Sequence, residues 1–303
     1  MATRTTTSEG RISTAVRRDG ASSVASAAIR RFMDADGTSH VRALAYQSIF
    51  VTLSGFIGLI GLASVLGIAE IRLAVQQMAS TLSPGPSGKL LQQAAQHGSS
   101  SGTTAAVFGF LAALSAGTLA MAQVERSANR VAGVEDRPPL ERYVRAFVLA
   151  VSAGLLLAVG VLLLAGGQAV ASGAGWKDTA LSVWSVVRWP IGIAVVGAAI
   201  YLLFRAAPRR PIEPRRAAWI GVAVAVALWV LFTGALALYL SIGGGKTYGS
   251  LIAIVALLLW SVLTSLSLHL GLSAAYELQS RVEPGTVRLP ETAAAATTAG
   301  RTR

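Results

Sequence analysis

Six stretches of this 303-residue chain are each long and apolar enough to cross a lipid bilayer, at about 43–68, 104–124, 143–166, 183–204, 217–241 and 251–276. A hydrocarbon core about 30 Å thick is spanned by roughly 20 residues at 1.5 Å rise. Inside lipid every backbone N–H and C=O must be paired within the protein, which leaves helices or a closed barrel. The runs are near-continuous Leu, Ala and Val, without the period-two alternation of barrel strands. The chain therefore reads as all-α, a polytopic membrane protein built as a six-transmembrane-helix bundle. Composition agrees: 53% of residues are apolar and 13% charged, and the mean hydropathy is +0.59. A soluble enzyme is a poor fit to such a chain.

The basic residues set an orientation, because Lys and Arg are retained on the cytoplasmic side. Seven precede or open the first span, five lie between spans two and three, five between four and five, and four follow span six. The alternate segments hold Arg72, Lys89, Lys177 and Lys246, with Arg188 just inside span four. Both termini are thus expected in the cytoplasm of a multi-pass protein in a bacterial inner membrane, the Arg-over-Lys and Ala bias suiting a GC-rich bacterial genome. Residues 1–40 read as a mostly disordered cytoplasmic tail. Within it Val24, Ala28, Ile29, Phe32 and Met33 recur at helical spacing beside Arg30 and Arg31, as in an amphipathic helix at the inner headgroup layer. Residues 41–280 form the membrane domain, and 281–303 a disordered cytoplasmic tail. The external segment 69–102 reads as a short helical hairpin broken at Ser83-Pro84-Gly85-Pro86-Ser87-Gly88, either capping the outer face or only connecting spans.

Chemistry-bearing residues are few. The chain has no cysteine, so disulfides, thiolate metal sites and Cys nucleophiles are excluded. His40, His97 and His269 show no ligand spacing, and Glu70, Glu125, Asp178 and Glu277 fall at membrane edges. No enzyme activity, cofactor or metal is expected. Nor do the basic loops carry the aromatic interleaving of a nucleic-acid surface. Arg188 lies about five residues, ~8 Å, into span four, beside Trp184, Trp189 and Pro190. It either faces a cavity and binds an anion in a bidentate fork or snorkels to the outer interface. Pro190 and Gly192 either break span four, as at transporter binding sites, or merely kink it. In span six Ser261, Ser265, His269, Ser273 and Glu277 recur every four residues. That stripe lines a polar path or supplies hydrogen bonds between helices. Small-residue steps Ala150-Gly154-Ala158, Ser54-Gly58 and Gly221-Ala225 suit close helix packing, and Gly243-Gly244-Gly245 an external turn.

Four pieces of sequence in order carry a resemblance: Arg42-Ala43-Leu44-Ala45-Tyr46, the run Arg126-Ser127-Ala128-Asn129-Arg130-Val131-Ala132-Gly133-Val134-Glu135, Arg188-Trp189-Pro190, and Tyr248-Gly249-Ser250-Leu251 before Leu257-Leu258-Leu259-Trp260. Over roughly 41–279 the chain resembles the YihY/BrkB family of bacterial inner-membrane proteins, some once named ribonuclease BN or serum-resistance factors. It departs where the family usually shows Phe-Pro in the first span, having Leu53-Ser54-Gly55. It departs again where many members carry Gly-Ala-Glu-Leu-Asn in the last, having Gly271-Leu272-Ser273-Ala274-Ala275. The resemblance implies six spans and a transport or envelope-lipid role. Arg188 with Pro190 and Tyr248, Ser265 with His269, and Arg126, Asn129 and Arg130 are the candidate substrate-binding residues. The expected partners are membrane lipids and an anionic or amphipathic small molecule. A transporter or translocation factor is the leading expectation, and a scaffold recruiting envelope partners the alternative. The sequence carries no signal for oligomeric state.

Overall fold

The computed structural model describes residues 20–66, 102–173, 175–241 and 251–282. The external segment around 69–101, the glycine turn, Tyr248 and both tails beyond these bounds lie outside the described residues. Those described fold as helices without a strand: α1 (Ala21–Asp34), α2 (Gly37–Leu66), α3 (Gly102–Ala132), α4 (Pro139–Val161), α5 (Gly167–Gly173), α6 (Asp178–Ala206), α7 (Arg215–Tyr239) and α8 (Leu251–Val282). A five-residue π turn, Leu162–Gly166, joins α4 to α5. Six helices, α2, α3, α4, α6, α7 and α8, are long and apolar enough to span a bilayer.

The helices outrun the hydropathic stretches at the arginine-rich end. Span two was expected to stop near Val124, yet α3 continues through the Arg126–Ala132 motif, and α8 runs past Tyr276 to Val282. Hydropathy marks where lipid stops, whereas a helix continues while its further turns find packing partners. Here they do: Glu125, Asn129, Tyr276 and Gln279 are all buried. At the other end α6 starts at Asp178, five residues before the expected boundary, with Asp178 in its first turn where the helix dipole favours an acid.

Each span packs on its sequence neighbour, and α8 returns to pack on α2, so the six antiparallel helices close into a ring. Glycines set two of the closest crossings. A Cβ on Gly109 of α3 would run into the Gly58 backbone of α2, and one on Gly61 into Ala106. On α7 and α8, a Cβ on Gly221 would sit 2.6 Å from the Gly271 carbonyl oxygen, and one on Gly271 2.6 Å from Ala225 Cβ. Two of the three small-residue steps thus mark real crossings. In the third only Ala150 approaches a neighbouring helix, near Gly117 of α3, while Gly154 has open space around it and α4 buries Ala146, Leu149 and Ala153. The main core gathers at the arginine-rich end, where Leu203, Phe204 and Ile212 pack with Val124, Val131, Ala217, Leu272, Tyr276 and Leu278.

The amphipathic segment forms α1, and it packs on α8. Its Ala28 and Phe32 are buried, while Ile29 and Met33 stay exposed on the outward face. A sharp corner leads into α2: Asp36 takes a left-handed conformation (φ 55°), and Gly37 lies so close to Phe32 that a Cβ there would overlap its ring.

Candidate functional site

Polar groups that the chain buries in an apolar bundle are where chemistry concentrates, and they form three groups. The first is the stripe on α8, the most enclosed of the six spans. Ser261, Ser265, His269 and Ser273 are all at most 2% exposed. The Ser261, Ser265 and Ser273 hydroxyls have no hydrogen-bond partner among the described residues, and neither does Thr264 Oγ1. His269 Nδ1 lies 2.7 Å from the Ser265 carbonyl oxygen. A carbonyl only accepts, so Nδ1 carries a proton, and Nε2 is also without a partner among the described residues. A buried polar group left unsatisfied costs about 1–3 kcal/mol. Four or five on one helix face are unusual for a static core. Near this stripe, α2 and α3 meet through His40 Nδ1, which accepts from Gln123 Nε2 at 2.7 Å.

The second group closes the arginine-rich end. Glu125 on α3 is fully buried and accepts from Arg137 Nη1 at 2.7 Å. Arg137, itself 8% exposed, also reaches the Ala207 carbonyl at 3.3 Å, the Pro208 carbonyl at 3.5 Å and Glu141 at 3.1 Å. The same loop between α6 and α7 is held twice more. Asn129 Oδ1 accepts from the Arg209 backbone N–H at 2.8 Å, and Tyr276 donates its hydroxyl to the Arg210 carbonyl at 2.8 Å. Three elements, α3, the α3–α4 linker and α8, thereby fasten one short connection. Across the end, Arg31 of α1 pairs with Glu277 of α8 at 3.3 Å and donates to the Val131 carbonyl at 3.2 Å and to Ser280 Oγ at 3.3 Å. Arg281 takes the other oxygen of Glu277 at 2.9 Å.

That bracing gives an expected result. Arg31→Ala leaves the Val131 carbonyl unpaired and Glu277 with Arg281 alone, so α1 is expected to lift from α8. The chain has no cysteine, so Ala28→Cys is a background-free reporter. In the Arg31→Ala protein it should react with a maleimide at least about tenfold faster than with Arg31 present, as expected when a contact worth more than about 1.4 kcal/mol is lost. Equal rates would show that Arg31 does not hold α1.

The third group lies far from the first two. Arg188 of α6 neither snorkels freely nor faces α8, from which α7 separates it in the ring. Its Nη1 donates to the Leu164 carbonyl in the π turn at 3.2 Å, and its guanidinium lies 5.6 Å from the Trp189 ring centroid. Trp184 Nε1 donates to the Gly167 carbonyl at 2.9 Å. A π turn displaces the regular i→i+4 bonding, and here side chains of α6 reach two carbonyls around it. The break belongs to α4, since α6 runs unbroken through the exposed Pro190.

The sequence-derived candidates are therefore distributed over separate places. Ser265 and His269 meet on α8. Asn129 is fully buried, and its Nδ2 reaches Asp136 at 3.2 Å, so its amide is occupied within the fold. Arg126 and Arg130 remain solvent-facing, Arg126 with its Nε 3.9 Å from Asp136. Glu125, although on the same helix as Arg126 and Asn129, pairs instead with Arg137, which rises from the following linker. The functional part of the arrangement also includes Arg31, Arg137, Gln123 and Tyr276, none of which the sequence patterns mark as candidates. One signal was available: Glu125 closes the second hydropathic run as a lone acid, and a buried acid requires a cation nearby.

These features define a multi-pass helical membrane protein, a closed ring of six spans with ionic bracing at one end and an unsatisfied polar stripe inside. The profile of the family described as Virulence factor BrkB matches residues 28–296, and the chain belongs to that family. A relative is the ribonuclease-like protein YfkH of Bacillus subtilis (strain 168), 28% identical over 174 residues. The match covers 54% of this chain and 62% of that relative, so less than two thirds of its length. No solved structure matches.

Proposed function

We propose that this BrkB-family protein is a non-enzymatic translocation factor for an amphipathic or anionic envelope molecule, working in a bacterial inner membrane with its arginine-rich end in the cytoplasm. The observation that carries this reading is the stripe of Ser261, Ser265, His269 and Ser273, shielded from lipid yet unsatisfied. Hydroxyls meant only to join helices would be expected to find partners across the interface. Groups that meet a polar cargo or water in a second conformation carry the cost of isolation only while the ring is closed. The bracing at the arginine-rich end makes the described conformation the one closed on that side. The exposed Arg126 and Arg130 suit anionic headgroups waiting there.

Flux measurement tests the reading. Protein reconstituted in liposomes is expected to move a fluorescently labelled phospholipid between leaflets faster than empty liposomes do. Ser265→Leu together with His269→Leu, which fills the stripe with apolar bulk, should cut the rate about tenfold, an added barrier of about 1.4 kcal/mol. A rate equal to that of empty liposomes for labelled phospholipids and small anions alike would overturn the proposal. A stoichiometric partner protein co-purifying without flux would then favour a scaffold.

A further inference from the structure

The π turn between α4 and α5 sits beside a cation in a membrane-spanning segment, and the polar atoms around it do not balance. Arg188 is half-buried, with Nη1 held on the Leu164 carbonyl and its Nε buried without a partner. Its Nη2 has no hydrogen-bond partner among the described residues. No acid lies within seven residues of Arg188 on α6, and the acid that opens the helix, Asp178, is a further three residues away. A guanidinium in such surroundings needs an anion, and among the described residues no acid pairs with it. On the other wall, a Cβ at Gly167 would stand 3.7 Å from Arg188 Cδ and 3.5 Å from Trp184 Nε1, so α5 presses directly on this side chain. The next residue, Gln168, holds a second orphan of opposite kind, since its Oε1 is a buried acceptor without a donor. Trp176 packs on Trp184 with ring centroids 5.5 Å apart, and Trp189 lies beside the guanidinium. Tryptophans of this kind mark the headgroup level of a bilayer.

An unpaired cationic donor and an unpaired acceptor against the same turn call for a ligand with both an anion and a hydrogen-bond donor. We propose that the surroundings of Arg188 and Gln168 bind a phospholipid headgroup bearing a donor, its phosphate on the Arg188 guanidinium and its ammonium or hydroxyl on Gln168 Oε1. Planar guanidinium suits phosphate because two parallel N–H groups can meet two oxygens. The Leu164 carbonyl fixes the fork in place, so little side-chain freedom is lost on binding. The inference goes beyond the translocation reading, since a lipid held here need not cross the ring.

The test uses the full chain, purified and delipidated in detergent, with thermal unfolding followed as lipid is added. Phosphatidylethanolamine is expected to stabilise it at concentrations about tenfold below those needed by phosphatidylcholine, whose quaternary ammonium offers no N–H, as one hydrogen bond to a buried acceptor would give. Diacylglycerol, which has no phosphate, is expected not to stabilise it. Soluble glycerophosphoethanolamine is expected to act only at far higher concentration; action at lipid concentrations would mean a soluble anion site and overturn the proposal. Arg188→Gln should weaken phosphatidylethanolamine at least about tenfold, the effect of losing a charge-assisted pair. Gln168→Leu should make ethanolamine and choline lipids equal. Unchanged affinity in Arg188→Gln, or equal stabilisation of the unaltered protein by any two of the three lipids, overturns it. The lipid series on the unaltered protein decides the matter even if a variant fails to fold. Loss of flux with binding intact would count against translocation alone.

Discussion

Replacing Arg137 by alanine is expected to destabilise this protein by roughly 3–5 kcal/mol, the cost of breaking a buried ion pair from one side. Glu125 has no exposure, and Arg137 meets one of its oxygens at 2.7 Å while the other, Oε2, already lacks a partner. Without the guanidinium the carboxylate must stay charged in a dry site or take up a proton. The same deletion removes the donor reaching the carbonyls of Ala207 and Pro208, loosening the connection between α6 and α7. Thermal unfolding in detergent should show the loss, and limited proteolysis should report new cleavage near Arg209 and Arg210. Combining Arg137→Met with Glu125→Leu removes both charges and should recover the larger part of the stability, because well-packed apolar replacements of buried pairs are often neutral. Recovery would not be complete, since the loop carbonyls stay unpaired. A single variant Arg137→Ala that unfolds like the unaltered protein would show that water reaches Glu125.

Gly109→Leu is expected to cost about 3 kcal/mol or more, the upper range for overpacking. A side chain at Gly109 meets the Gly58 backbone, which cannot swing aside as a flexible side chain would. Helices in lipid gain little from hydrophobic contact with each other, and close backbone approach through small residues supplies much of their association. Forcing α2 and α3 apart therefore removes a principal source of their adhesion. Gly271→Leu should act in the same way between α7 and α8, where Gly221 and Ala225 lie against it. Gly154→Ala provides the contrast. Nothing lies within 4 Å of the added carbon, and the change should be neutral or stabilising by up to about 1 kcal/mol through helix propensity. Unfolding midpoints of the three variants in one detergent decide the comparison, and similar midpoints for Gly109→Leu and Gly154→Ala would refute it.

The contrast among these glycines shows how a site can be half visible. All of them sit in small-residue steps or apolar runs that read alike. The step containing Gly154 reads as a crossing just as the step containing Gly58 does, yet Gly154 itself has open space around it. The α8 stripe was legible because a four-residue repeat of polar residues within a span is a local pattern. Its isolation was not, since that depends on what α2, α3 and α7 bring to it. Arg188 was legible as an anomaly in a span, but its acceptor is a carbonyl 24 residues earlier, exposed by a π turn that nothing in the run Leu162–Gly166 announces.

From the residues alone followed the helical class, the six crossings, the common end of the arginines and the family. These rest on backbone groups that lipid forces to pair within each segment and on transfer energies that add along the chain. The three-dimensional arrangement decided the partners: Arg31 with Glu277 across 246 residues, Glu125 with Arg137 instead of its helix neighbours, and Asn129 with the loop after α6. Each choice depends on the order of helices in the ring and on the rotation of each about its axis. Packing between distant segments sets both, and no stretch of sequence contains that information by itself.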